Sequence, residues 1–253
     1  MGIREAAGRA GLSVIYELLF YWCGPRHWWP AETPFEVIVG AILTQNVAWR
    51  NVVGAITNLR QAGLLEPQTM HAAPATELES LIRSTGYYHS KARKLKAFCA
   101  FLFEQAGGSL PRLFEQPLAT LRPALLAVYG IGPETADAIL CYAGGKPVMV
   151  MDTYTRRVFS RLGLIAPDAA YEVMQEFFMS RLPCDLQLFN EYHALIDGLA
   201  NQLCLKQAPR CGECPLLELC PTGQEPDRRK APPNISRRGG EEARHVAAGA
   251  RHL

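Results

Sequence analysis

Cys204, Cys211, Cys214 and Cys220 stand at C-x6-C-x2-C-x5-C spacing near the end of a 253-residue chain. Four thiolates on one short, loop-rich stretch can wrap a single inorganic centre. Soft sulfur ligands with no interleaved His favour an iron–sulfur cluster, a [4Fe–4S] cube held by these four residues. Two other readings stay open. A four-thiolate zinc site usually shows two short knuckles, and only Cys211 and Cys214 make one here. The four could also be unrelated thiols. The spacing differs from the compact ferredoxin run and follows a helical stretch, so the centre reads as a structural clamp. Cys23, Cys99, Cys141 and Cys184 are scattered among apolar residues and read as buried thiols.

A second candidate is Asp152. It ends the extended apolar run Pro147-Val148-Met149-Val150-Met151 and precedes the helical stretch from Thr153. The simplest reading is a helix N-cap. A carboxylate held ionised by a helix terminus can also stabilise positive charge developing nearby, as on a sugar losing its base. It can orient or deprotonate an attacking water as well. The two roles are compatible. Twenty residues earlier, Gly130-Ile131-Gly132 separates two helical stretches, and Pro133 starts the second. Both glycines permit positive φ. Such a turn offers backbone N–H groups to a DNA phosphate. On its own it is weak evidence, because many αα-hairpins use one.

These residues need helices to position them. Thr33-Pro34-Phe35-Glu36 predicts an N-cap, a first-position Pro and a capping-box Glu. Further helices are expected over 49–62, 75–84, 90–105, 118–128, 134–143, 153–162, 171–181 and 186–204. In the last, Phe189, Tyr192, Ile196, Leu199 and Leu203 form one apolar stripe. No convincing β-hairpin or internal repeat is present. From Thr222 onward the composition turns to Arg, Gly, Pro, Glu and Ala without periodicity, as in a disordered basic tail.

Apolar residues make up 49% of the chain, enough for a substantial core. The apolar stretch from Leu12 to Trp22 carries Glu17 and is too short to span a bilayer, so no membrane association is expected. Thiolate ligands without an export signal fit a reducing cytoplasm. The net charge is only +2. The tail carries seven Lys/Arg against four Asp/Glu, which leaves 19 against 20 elsewhere. Any DNA-binding surface on the rest must be a local patch.

Taken together, the motifs resemble the endonuclease III family, the helix-hairpin-helix DNA glycosylases. The resemblance rests on the hairpin, the V-x-V-x-D-T segment around Asp152 and the four-cysteine loop, in that order. The stretch 190–221, including His193, and Gly86-Tyr87-Tyr88-His89-Ser90-Lys91-Ala92 add to it. It covers roughly residues 30–221. It implies an all-α enzyme in two lobes: a six-helix barrel over 33–145, and a cluster lobe from 1–32 plus 146–222, followed by the tail 223–253. Double-stranded DNA with a damaged base would bind between the lobes, with the nucleotide flipped out. The resemblance further implies base-excision repair by a monomer, nucleoid-associated in the cytoplasm. Gln45 falls where the family inserts a side chain into the vacated stack. Gly130, Ile131, Gly132, Lys206 and Arg210 would contact the backbone.

One departure bears on chemistry. Bifunctional members carry Lys where this chain has Glu134, and Glu cannot form the imine that leads to strand cleavage. The chain therefore reads as monofunctional, with water attacking the sugar. Adenine-mismatch members carry a catalytic Glu where Gly40 stands, which argues against that substrate. Trp28-Trp29-Pro30, Leu43-Thr44-Gln45-Asn46, Glu134 and the stretch 136–143 resemble instead the bacterial 3-methyladenine glycosylase branch. That implies a base pocket of Trp28, Trp29, Pro30 and Glu134. Stacking a cationic alkylated purine on indole gains a cation–π contribution. The best-known member of that branch lacks the cysteine loop, so the chain mixes features of two groups. The alternatives are a bifunctional enzyme for oxidised pyrimidines, using another amine, and a non-catalytic protein that binds damaged DNA.

Overall fold

The computed structural model describes residues 2–225, with side chains from Gly11 onward. The expected tail, 223–253, lies outside the described residues beyond 225. The elements are α1 (Gly2–Cys23), α2 (Pro34–Leu43), α3 (Trp49–Gln61), α4 (Pro67–Ala72), α5 (Ala75–Leu81), α6 (Tyr88–Ala106), α7 (Leu110–Glu115), α8 (Leu118–Leu126), α9 (Pro133–Ala138), α10 (Thr153–Arg161), α11 (Tyr171–Met179), α12 (Leu186–Gln202) and α13 (Pro221–Gln224). Among the described residues there is no strand. The all-α expectation holds.

The chain divides into two compact units. One holds the described residues up to Pro30, Thr153–Asp168 and the described residues from Ala194. The other holds Ala31–Asp152 and Ala169–His193. This differs from the expected lobes: residues 146–152 and 169–193 pack with 31–145. The reason is visible in side-chain chemistry. Tyr171 and Gln175 on α11 hydrogen-bond Asp137 on α9, and Gln175 also bonds the Met149 carbonyl.

In the larger unit α2 is the central element. Phe35 through Leu43 are all buried, so this helix is enclosed on every face, and Glu36 is its one charged residue. The Thr33 hydroxyl accepts from Glu36 N–H at 3.1 Å, as the cap signal predicts. The reciprocal half of the capping box differs. The Glu36 carboxylate accepts from Glu32 N–H and from Arg60, because a nearly buried carboxylate requires a cationic partner. In the smaller unit Leu12, Ile15 and Leu19 turn one face of α1 inward. All five residues of the expected α12 stripe are buried.

Two short helices, α4 and α7, escape periodicity because six residues make less than two turns. The expected helix 134–143 is α9 followed by a π-helical turn at Ile139–Ala143.

Candidate functional site

The hairpin lies between α8 and α9. Gly130 takes φ +77, the left-handed region, while Gly132 is extended at φ −91, ψ 178. Only Gly130 therefore uses the freedom expected of both. A Cβ there would lie 2.5 Å from the stem of Lys94 on α6. Ile131 is buried. Gln45, in the turn after α2, is fastened to this hairpin. Its amide donates to Gly130 O at 3.1 Å and to the Thr135 hydroxyl at 2.9 Å, and Lys94 donates to its carbonyl.

Asp152 directly precedes α10 and is delivered by the run Val148–Met151, buried throughout. Its side chain is 12% exposed. The Nε2 of His193, 13% exposed, stands 3.6 Å from Oδ2. On its other side His193 Nδ1 meets the Tyr142 hydroxyl at 2.6 Å. Glu134, in the first turn of α9, faces the same group of residues. Glu134 as a residue reaches solvent, yet its carboxyl is pushed up to about 7. Burial is the main cause and the Asp152 charge adds to it, while His193 acts the other way only when its ring is protonated. The structure thus brings Asp152 and Glu134 together. It adds His193 and Tyr142, which spacing alone did not identify, since they lie on a helix and a turn 51 residues apart.

Behind this group sits a buried polar hub. Asp137, fully buried, takes two bonds from Arg122 on α8 (2.7 and 2.9 Å), one from the Tyr171 hydroxyl and one from Gln175 (both 2.8 Å). The Tyr171 hydroxyl in turn accepts from Met151 N–H at 3.3 Å. Three helices, α8, α9 and α11, are thereby tied to the backbone that carries Asp152. An apolar-looking helical stretch gave no signal for this hub.

The smaller unit holds Trp28, Trp29 and Pro30, with the two indoles 5.3 Å apart and tilted by 47°. It also holds the cysteine loop. Cys204, Cys211, Cys214 and Cys220 line one almost wholly apolar cavity with Leu203, Pro209 and Leu217. Among the described residues no three Cys, His, Asp or Glu side chains converge as a single ion would require. Four cysteines lining one cavity is a donor set that a thiolate-held iron–sulfur cluster would fit. Burial pushes the Cys214 thiol up to about 11. A backbone hydrogen bond at Leu216 lowers it, and Cys204, Cys220 and Cys211 raise it further. Arg161 on α10 braces the loop, donating to Cys204 Sγ at 3.1 Å, to Cys204 O, to Leu205 O at 2.8 Å and to Lys206 O. Arg157 adds a 2.8 Å bond to Cys204 O.

Lys206 and Arg210 are both exposed, and Arg210 is engaged by Glu213. Among the other thiols, Cys99 and Cys141 are buried as expected, and burial pushes each up to about 12. Cys184 is exposed and Cys23 half-buried, contrary to the expectation. Each borders a polar or charged turn, where apolar sequence neighbours do not ensure burial.

An all-helical fold with a Gly/Pro hairpin beside a paired carboxylate site defines a class, the helix-hairpin-helix DNA-repair glycosylases. The family model for HhH-GPD superfamily base excision DNA repair proteins matches residues 39–184. A Methanocaldococcus jannaschii protein named as a DNA repair glycosylase is 44% identical over 207 residues, covering 81% of this chain and 94% of that one. Endonuclease III of Bacillus subtilis is 31% identical over 199 residues, covering 78% and 85%. A solved endonuclease III–DNA complex superposes with a TM-score of 0.75 at 26% identity, over 87% of this chain and 98% of the other. H. pylori 3-methyladenine DNA glycosylase bound to 1,N6-ethenoadenine gives 0.67 at 28%, over 77% and 97%. The chain belongs to the HhH-GPD superfamily and is a base-excision DNA glycosylase.

Proposed function

We propose that this glycosylase is monofunctional and removes alkylated purines from double-stranded DNA as a monomer, leaving an abasic site. The observation that carries the reading is Glu134, a carboxyl facing Asp152 where the bifunctional members carry lysine. A carboxyl cannot attack the sugar as an amine does. Water is then the nucleophile. Asp152 stabilises the cationic sugar as the N-glycosidic bond breaks and its electrons pass to the base. Water bonds to the sugar carbon and gives its proton to Asp152. A cationic alkylpurine leaves as a neutral base, so the departing group needs no proton. Near pH 7 about half of Glu134 is uncharged, and the neutral acid can donate a hydrogen bond to that base.

Trp28, Trp29 and Pro30 supply the stacking face for the base. The similarity to the H. pylori 3-methyladenine glycosylase supports this choice of substrate. Gln45 and the Gly130–Gly132 turn, already joined by hydrogen bonds, contact the DNA around the flipped nucleotide. Cys204, Cys211, Cys214 and Cys220 would hold a [4Fe–4S] cluster, which fastens the loop that presents Lys206 and Arg210 to phosphates.

Mass spectrometry of free bases released from methylated and from oxidised duplex DNA tests the proposal. Release of 3-methyladenine or 7-methylguanine with intact strands is expected. Release of oxidised pyrimidines with borohydride-trappable protein would place the chain in the bifunctional class instead. No released base from cluster-loaded protein would leave a binding protein.

A further inference from the structure

We infer that His193, held by Tyr142, is a positioning residue that orients the Asp152 carboxylate. The inference rests on reading Asp152 as the carboxylate at the reacting sugar. Three observations support it.

The first is the π-helical turn. Gly144 N–H bonds Ile139 O at 2.9 Å, five residues back, and this wide turn carries Tyr142. Such turns are rare within α-helices and frequently mark functional sites. Here the turn carries the side chain that meets His193 at 2.6 Å.

The second is the seating of His193. It follows Tyr192, which is fully buried and packs edge-on against Phe178 on α11 at 5.8 Å. That contact fixes the rotation of α12 and with it the direction of the neighbouring imidazole.

The third is the logic of donors and acceptors. An ionised Asp accepts only, so the Nε2 that faces it carries the proton. In the neutral imidazole Nδ1 then accepts from the Tyr142 hydroxyl. Tyr142 thereby selects the tautomer, and the tautomer presents an N–H to Asp152. At 3.6 Å the contact is longer than a hydrogen bond. A shift of a few tenths of an ångström closes it, as catalytic contacts commonly tighten once substrate binds.

Three variants separate positioning from structural support. His193→Leu removes both contacts. His193→Gln restores an amide N–H where Nε2 stood. Tyr142→Phe removes only the hydroxyl. Single-turnover release of all free bases, from methylated and oxidised DNA together, should fall about tenfold or more in His193→Leu. It should recover most of the way in His193→Gln and lie between in Tyr142→Phe. Affinity for a duplex bearing an abasic-site analogue should stay unchanged. Equal losses in the Gln and Leu variants, or losses that follow Tm or affinity, would overturn the inference.

Counting every released base means that a chain with another lesion preference fails the alkylpurine reading while still testing His193. Nitrogen-15 spectra of labelled histidine test the same geometry without substrate. The signal missing from His193→Gln should show protonated Nε2 and bare Nδ1, and Asp152→Asn should shift Nε2. A proton on Nδ1 in the wild type would refute the arrangement even in a chain that releases no base.

Discussion

Glu134 ionises against two costs, its own burial and the neighbouring Asp152 charge. Its carboxyl titrates near 7 in the folded chain and near the ordinary 4.5 when unfolded. Below 4.5 both states hold the proton, and Glu134 makes no difference to stability. Between 4.5 and about 7 the folded chain binds a proton that the unfolded chain has released. Stability contributed at this position therefore falls as pH rises through that window, and the full penalty remains above it. Glu134→Gln lacks this titration. Its Tm should approach that of the wild type at low pH and exceed it increasingly up to about pH 7, after which the gap stays level. A gap independent of pH, measured by calorimetry across the range, would mean that the carboxyl is not perturbed in this way. The type of residue at 134 was legible in the sequence, because Glu in place of Lys rules out an imine. Its partners were not. Asp152 and His193 come from distant elements, and no spacing rule encodes their convergence.

At the scale of elements, Asp137 is the joint between α8, α9, α11 and the run that delivers Asp152. The Arg122 guanidinium is held protonated above its usual range, first by its hydrogen bonds to Asp137 and against the cost of burial. The Arg122 side chain is 24% exposed, whereas Asp137 is inaccessible. Removing the acid strands a mostly buried cation. Asp137→Ala should cost about 3 kcal/mol in urea unfolding. Adding Arg122→Met should restore a good part of that, since the stranded charge is then gone. A loss under about 1 kcal/mol for the single variant would show the pair to be no stronger than a surface contact. Helix starts with a cap and a Pro, such as Thr33-Pro34, were readable because the signal lies within one turn. The Asp137 joint was not, because a lone Asp between apolar residues reads equally as a solvated face. The π turn was hidden too. The stretch Glu134–Ala143 has ordinary helix-forming residues, and no local pattern in it marks the wide turn that carries Tyr142 to His193.

At the scale of the whole molecule, the function proposed above asks the cysteine loop and a few local charges to let a nearly neutral protein grip a polyanion. The four cysteines were legible as a candidate ligand set because their spacing is local. The arginines that brace the loop were not, since Arg157 and Arg161 stand on α10, more than forty residues away. Cys214→Ser should abolish the absorbance of the proposed cluster and make 204–220 the first site of limited proteolysis. Residues 31–152, with their own core, should stay intact. Simultaneous digestion of both units would show that the cluster supports the entire fold. DNA affinity provides the sharper test of the loop. With a net charge of +2, attraction must come from a few phosphate contacts, and each released counterion adds about 0.9 to the slope of log affinity against log salt. Lys206 is exposed, and its backbone is pinned by Arg161, so Lys206→Ala should reduce that slope by about 1. Arg210 already spends its charge on Glu213, and breaking that pair to meet a phosphate returns part of the gain. Arg210→Ala should reduce the slope by distinctly less than Lys206→Ala, and Glu213→Gln should raise affinity by freeing the arginine. Fluorescence anisotropy titrations at several salt concentrations read all three. If Arg210→Ala matches Lys206→Ala and Glu213→Gln changes nothing, the ion pair does not regulate the charge that this loop offers to DNA.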